Sequence, residues 1–496
     1  MNFLKNREGV IFSLLPACAV LFFLFPYLYL WSSIPLQGIH IDFSQLSWVL
    51  QQSLIQSLFS VFLTVVFAIP LIAGLLYFTQ RSLYSWKKVF EHLVMLPNYL
   101  PTLFVLLSLL DWVRPFPMGI VGVAFVHGFM NAGLVAVYFV HIVELKTAGM
   151  SVLAEIESAS WWSWTTVMLR YLKKDIFFLL FFVFAICFSS FAVPFVVGAG
   201  RGVTLELMVF EVIHRSSDMS QALYLSLVQS FFLLIFSWLR WTSFPIKGGN
   251  FSHVFYWGHS WGVLFLLVYV GIFTLPFFQS WILGWQQVGA VPGLLQQAVS
   301  LMLPSFVFSF VVGGAVSCVM YATAFLLPST RLLRFLTVLS APSLSLVGLM
   351  FLMMNPSRQW TEIEWVLGFV WILVPMLVRL GWGPTVAAFD QQVLVAESLG
   401  ASGWQILKWI LIPQLSGTAA FVGSVAALWS LGDFGLSRFV FSHQKTLGMF
   451  LQSLMSSYHL DQALCLSSLL LVLSFFLILT FAGMAYVSRG KFGQRI

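Results

Sequence analysis

Long apolar stretches separated by short polar ones run through this chain, and their lengths set the first expectation. A helix crossing a bilayer needs about 20 mostly apolar residues. Segments of that kind recur at 10–31, 52–78, 93–113, 119–143, 176–197, 221–239, 260–284, 300–327, 336–354, 364–382, 413–434 and 462–486. The pattern predicts an all-α polytopic membrane protein with about 12 transmembrane helices. The polar gaps read as loops, those on the outer side at 31–50, 114–119, 198–220, 284–299, 355–365 and 435–461.

Composition supports a lipid environment: 60% of the 496 residues are apolar, 17% aromatic and 8% charged. A soluble domain cannot hide that much apolar surface. The first apolar run follows Met1–Gly9 and continues to Trp31, past any cleavage point, so it reads as an uncleaved anchor. With the N-terminus in the cytoplasm, all but Arg114, Arg201, Arg215, Arg358, Arg438 and Lys445 of the 24 Lys and Arg residues fall on the cytoplasmic side. Both termini are therefore expected there, and the net charge of +7 needs no nucleic acid to explain it. Cys18, Cys187, Cys318 and Cys465 all lie inside apolar segments without metal-ligand spacing, which points to packing.

The two halves resemble each other. Ala154-Glu155, Ala159-Ser160 and Trp162 match Ala396-Glu397, Ala401-Ser402 and Trp404 at an offset of 242, and Thr204-Leu205 matches Thr446-Leu447 at the same offset. Chance matches do not share one offset, so the chain reads as two parallel six-helix repeats. The expected divisions are a first half over 1–240, a cytoplasmic linker over 241–259 and a second half over 260–496. A pathway would lie between the halves.

The most informative segment is Val395–Leu415, VAESLGASGWQILKWILIPQL, in which Glu397, Gln405 and Lys408 must lie outside the lipid. Gly400 permits a sharp bend, Leu399, Trp404, Ile406 and Leu407 offer an apolar face, and Pro413 suits the start of a helix. This segment resembles the cytoplasmic coupling loop of ABC importer permeases. The resemblance implies the type I ABC importer permease fold in the bacterial inner membrane. It also implies docking of two ATP-binding subunits, one per turn, through Ala154, Glu155, Ser158 and Ala159 and through Ala396, Glu397, Gly400, Ala401 and Trp404. A periplasmic substrate-binding protein is the further implied partner. The first copy is degraded: Ser158 replaces the glycine and Tyr171 stands opposite Pro413. No GxxxxGK[ST] loop is present, so this chain is expected to be a transport subunit with no cofactor of its own, ATP being used by the partner.

Gly122–Asn131, Cys187–Ala192, Thr204–Phe210, Ser430–Phe434 and Ser457–Ala463 resemble thiamine-transport permeases, with ferric-iron permeases as the nearest competitor. The segment Gly198–Gly202 departs from the family's glycine run by carrying Arg201. Thiamine or its phosphate is a heteroaromatic cation of the kind guided by aromatic faces and carboxylates. The candidate pathway residues are Asp433, Trp429, Phe191, Asn131, His127 and Glu206. Asp433 reads either as a gate residue or as a helix cap or partner of Arg438. His127 and Asn131, one turn apart, either line a cavity or bond a neighbouring helix. Glu206 is expected in a re-entrant outer segment, and Asp111 beside Arg114. An ion-coupled secondary transporter is the alternative class, but it would bury ionisable groups mid-span, and here most charges fall at span ends.

Overall fold

The computed structural model describes residues 21–33, 43–81, 83–113, 115–215, 218–238, 259–326, 343–378, 382, 386, 389–457 and 459–493. Cys18, Arg114 and the linker residues 241–258 lie outside these. All regular structure among the described residues is helical. Five helical segments are long and apolar enough to cross a membrane: Phe43–Thr79, Ile120–Glu144, Leu294–Ala324, Gly403–Leu431 and Leu460–Val487. Shorter apolar helices include Leu21–Ser33, Thr102–Trp112 and Leu344–Met354.

Several boundaries differ from the sequence expectation for physical reasons. The segment expected to span 93–113 is divided into Tyr84–Val94, Leu96–Tyr99 and Thr102–Trp112. Pro97 opens the middle piece, and Pro101 cannot donate a backbone hydrogen bond to continue it. The segment expected over 176–197 begins instead at Trp161 and stops at Phe188, followed by the short helix Ala192–Val197. The outer loop expected at 284–299 shrinks to a tight turn between Ser260–Ala290 and Leu294–Leu326, with Gly293 at φ +81°. The segments 198–220 and 435–461, expected as outer loops, are not plain loops either. They hold the helices Leu205–Arg215, Gly435–Val440 and Leu447–Ser456, whose apolar sides are buried.

Close helix approach is achieved with small residues, as expected where lipid supplies no hydrophobic drive between helices. A Cβ on Gly74 would sit 2.6 Å from the carbonyl oxygen of Gly262, and one on Gly313 would sit 2.5 Å from that of Gly423. His259 donates its backbone N–H to Ala73 across 3.1 Å, and Trp371 donates Nε1–H to the Phe22 carbonyl at 2.8 Å. Elements from before residue 240 and after residue 259 are thus packed into one body. Where the apolar stretch Ile120–Glu144 of the helix Ile120–Ile156 stops, Lys87 Nζ contacts both Glu144 carboxylate oxygens at 2.6 Å and Glu91 Oε1 at 3.3 Å. Thr79 Oγ1–H donates to Glu144 at 2.7 Å, so three helices share one charged knot.

Candidate functional site

Two turns of the same construction protrude from the helical body. The helix Ile120–Ile156 ends as Ser158 N–H donates to Glu155 O (3.1 Å) and Ala159 N–H to Ala154 O (2.9 Å). The helix Asp390–Ser398 ends as Gly400 N–H donates to Glu397 O (2.9 Å) and Ala401 N–H to Ala396 O (3.0 Å). This is the Schellman arrangement, which needs a left-handed residue just past the cap. Gly400 fills that position at φ +83°, and Ser158 at φ +48°. The degraded copy therefore keeps its backbone shape despite having lost the glycine. Each turn then starts a new helix from a serine: Ser160 Oγ accepts from Ser163 N–H (3.2 Å) and Ser402 Oγ from Gln405 N–H (3.4 Å). Gln405 returns the contact by accepting from Ser402 N–H at 2.7 Å, completing a capping box.

A left-handed serine carries a conformational penalty that glycine escapes. Ser158→Gly is accordingly expected to stabilise the protein by about 0.5–1 kcal/mol, read as a raised unfolding midpoint in detergent. A midpoint at or below the wild-type value would show that the serine side chain holds the turn in some other way.

Both turns present apolar side chains outward. Ile156 and Trp162 are 71% exposed on the first, and Leu399 (82%) and Trp404 (65%) on the second. The helix leading to the second turn adds exposed Leu394 and Val395, which the sequence reading missed because they precede the polar residues that drew notice. Ile406, expected to face outward, is buried, and Leu407 half-buried. Leu407–Leu411 forms a widened π turn before Pro413, whose missing N–H would otherwise interrupt a regular ladder.

From each turn one helix runs inward. Trp161–Phe188 has 28 residues and Gly403–Leu431 has 29, so each is about 40 Å long. Their far ends reach a cavity of about 330 Å³ whose wall includes His127, Asn131 and Phe191 together with Trp429 and Asp433. Five of the six candidate pathway residues thus share one space. Glu206 does not line it. Its carboxylate accepts the Ser345 backbone N–H while Ser345 Oγ–H donates to the Glu206 carbonyl at 3.1 Å, tying Leu205–Arg215 to Leu344–Met354. Asn98 and Phe181 also belong to the wall and were missed. For Asn98 the signal was the Pro97–Pro101 interruption of an apolar run.

The wall residues are held by specific bonds. His127 shares hydrogen bonds with Ser190 Oγ (3.0 Å) and Ser60 Oγ (3.4 Å), while Asn131 Nδ2–H donates to the His127 carbonyl at 2.9 Å. Trp429 Nε1–H donates to the Asn98 carbonyl (3.1 Å), and Asn98 Nδ2–H to that of Met130 (2.9 Å). Asp433 caps the helix Gly435–Val440, accepting from Gly435 N–H at 3.2 Å and Ser437 N–H at 3.1 Å. Of the two readings of its non-gate role, capping is the one realised: Arg438 instead donates Nε–H to Gln452 Oε1 at 3.0 Å and lies over the Phe195 ring. One end of the cavity abuts an aromatic cluster in which Phe191, Phe195 and Phe210 meet Phe434 and Phe439, with Phe191–Phe434 at 5.8 Å and Phe210–Phe439 at 5.3 Å.

The chain is similar to thiamine transport system permease proteins. It is 23% identical over 387 residues to that of Salmonella typhimurium strain LT2, covering 72% of each chain. It is 22% identical over 396 residues to that of Escherichia coli strain K12, covering 74% of this chain and 73% of the relative. No family model and no solved structure matches the chain.

Proposed function

We propose that this chain is the membrane-embedded permease subunit of an ATP-driven importer, carrying thiamine or a closely related cation across the bacterial inner membrane. Twelve spans, both termini in the cytoplasm and a division at 241–259 complete this reading. Its single strongest support is the pair of matched turns, each joined by one unbroken helical path to the cavity wall. A rigid helix transmits a displacement along its axis, so a motor subunit gripping the turns would move Phe191 on one side and Asp433 on the other. The helix starts support the repeat: Thr102 and Leu344, Trp161 and Gly403, and Leu205 and Leu447 are each 242 residues apart. So do Ser53 and Ser305, whose hydroxyls accept from Leu205 N–H (2.9 Å) and Leu447 N–H (2.8 Å).

The exposed apolar side chains at the turns suit docking to two ATP-binding subunits, because apolar side chains grouped on a polar turn mark a surface made for a partner. The opposite end, with the aromatic cluster, would receive the substrate-binding protein. The thiamine assignment rests on the similarity to thiamine permeases and, among the described residues, on a wall in which Trp429 and Phe191 accompany one carboxylate, Asp433. A ferric ion would call for several oxygen ligands converging on one point.

Reconstitution into liposomes with the ATP-binding subunit and binding protein provides the test. Thiamine uptake is expected to stop when ATP is withheld and to continue when a protonophore collapses ion gradients. The reverse pattern would make the chain an ion-coupled carrier.

A further inference from the structure

One contact at the edge of the cavity joins residues from before position 240 to residues from after 259 through polar groups that are only half satisfied. The carboxylate of Glu206, on Leu205–Arg215, accepts the Ser345 backbone N–H, and Ser345 Oγ–H donates to the Glu206 carbonyl at 3.1 Å. Ser345 lies in the first turn of Leu344–Met354, whose capping Ser343 hydroxyl accepts from Leu346 N–H at 3.1 Å. A carboxylate suits that place, because the free N–H groups of a helix start carry partial positive charge. Ser343 and Leu344 themselves belong to the cavity wall. Close packing surrounds them: a Cβ on Gly435 would come within 2.8 Å of the Phe191 ring and 3.1 Å of Leu344. The same carboxylate also carries a cost. Glu206, Ser345 and Gln229 are fully buried, and the groups bonded to the carboxylate are neutral. Gln229 lies beside it, yet Glu206 Oε2 and both polar atoms of the Gln229 side chain complete no hydrogen bond. Burying a charge and leaving polar atoms unpaired both oppose the closed arrangement.

We propose that the Glu206–Ser345 contact is a releasable latch between the two halves, and that the Glu206 carboxylate is what makes it releasable. While the halves are together, the helix start of Leu344–Met354 holds the carboxylate. When they part, water reaches Glu206 and Gln229 and satisfies the atoms that closure leaves unpaired. The two arrangements are thereby brought close in free energy, as suits a contact that breaks and reforms in each cycle of transport. The need for such a cycle rests on the transport reading above. The latch is one-sided: the positions 242 residues from Glu206 and Ser345 are Gly448 and Leu103, neither of which has a polar side chain. Its release would draw Phe191 away from Gly435 and from Phe434, now 5.8 Å away between ring centres, and open the cavity beside Leu344.

The test is the labelling rate of one cysteine, Ala192→Cys in the cavity wall, in a full-length chain whose four native cysteines have been replaced. The protein is held in lipid nanodiscs, and a water-soluble maleimide is the probe. Glu206→Gln keeps an oxygen for Ser345 N–H, removes the buried charge and offers Gln229 Oε1 a donor. Its labelling is expected to be about tenfold slower than without the substitution. Glu206→Asp keeps the charge but withdraws it by one methylene from Ser345 N–H, so labelling is expected to be about tenfold faster. An acid already held neutral would leave the glutamine variant labelling at the original rate, and a purely structural bond would make both variants label faster. Either result overturns the latch. Should the aspartate variant fail to fold, the glutamine variant decides alone: slower labelling supports the latch, and an equal or faster rate refutes it. Co-elution of the ATP-binding subunit scores the transport reading separately. A complex that assembles while both variants label at the original rate refutes the latch and leaves the coupling turns standing.

Discussion

Replacing Lys87 by methionine is expected to destabilise the protein by about 3–5 kcal/mol, the range seen when one partner of a buried ion pair is removed. Lys87 is 6% exposed and sits between Glu144, at 2.6 Å, and Glu91, at 3.3 Å. Methionine fills much of the same volume, so packing survives while two carboxylates lose their shared cation. Thr79 continues to donate to Glu144 but supplies no charge. The consequence is local as well as global. Tyr84–Val94 is held to Ile120–Ile156 by this knot, and it leads directly into Leu96–Tyr99, which carries the cavity residue Asn98. Lys87→Arg should recover part of the loss by restoring the charge. Chemical unfolding in detergent measures both; a methionine variant within 1 kcal/mol of wild type would mean that the carboxylates are hydrated rather than paired.

Gly400→Glu is expected to abolish association with the ATP-binding subunit while leaving the permease folded. A Cβ at Gly400 would meet nothing within 4 Å, so the first added carbon strikes no part of this chain and the longer side chain has open space to leave by. The remaining penalty is the left-handed backbone at φ +83°, about 1 kcal/mol, and Ser158 already tolerates a similar conformation in the first turn. A bulky charge would then project from the apolar surface around Leu399 and Trp404, where a docking cleft would have to desolvate it. Unchanged elution and melting of the permease, together with loss of the co-purifying ATPase and of uptake, is the expected pair of results. An intact complex with full uptake would remove the second turn from the coupling role.

The turns and the approximate positions of the apolar segments were legible in the sequence because both depend on local rules: residue polarity, helix stop signals and the spacing of small residues. The ends of the helices were not. Lys173, Lys174 and Asp175 mark where lipid should stop, yet the helix continues back to Trp161, because backbone hydrogen bonding does not end at the membrane surface. Hydropathy also cannot show that the stretches expected as polar loops contain Leu205–Arg215 and Leu447–Ser456, whose burial depends on partners far away in the chain. Five candidate pathway residues converge on one cavity, but the contacts that fix them were beyond reach. Trp429 bonding Asn98, 331 positions away, follows from tertiary packing alone. Glu206, grouped with them from sequence, belongs to a separate contact with Ser345.

Cysteine cross-linking at the two turns tests the coupling claim most directly. Single cysteines in place of Ile156 and Leu399, both strongly exposed, would be examined in membranes containing the ATP-binding subunit. Each is expected to form a cross-link to that subunit, with a yield that changes when ATP is added. If the subunit is present and neither position cross-links to it in any nucleotide state, the turns do not receive the motor's force.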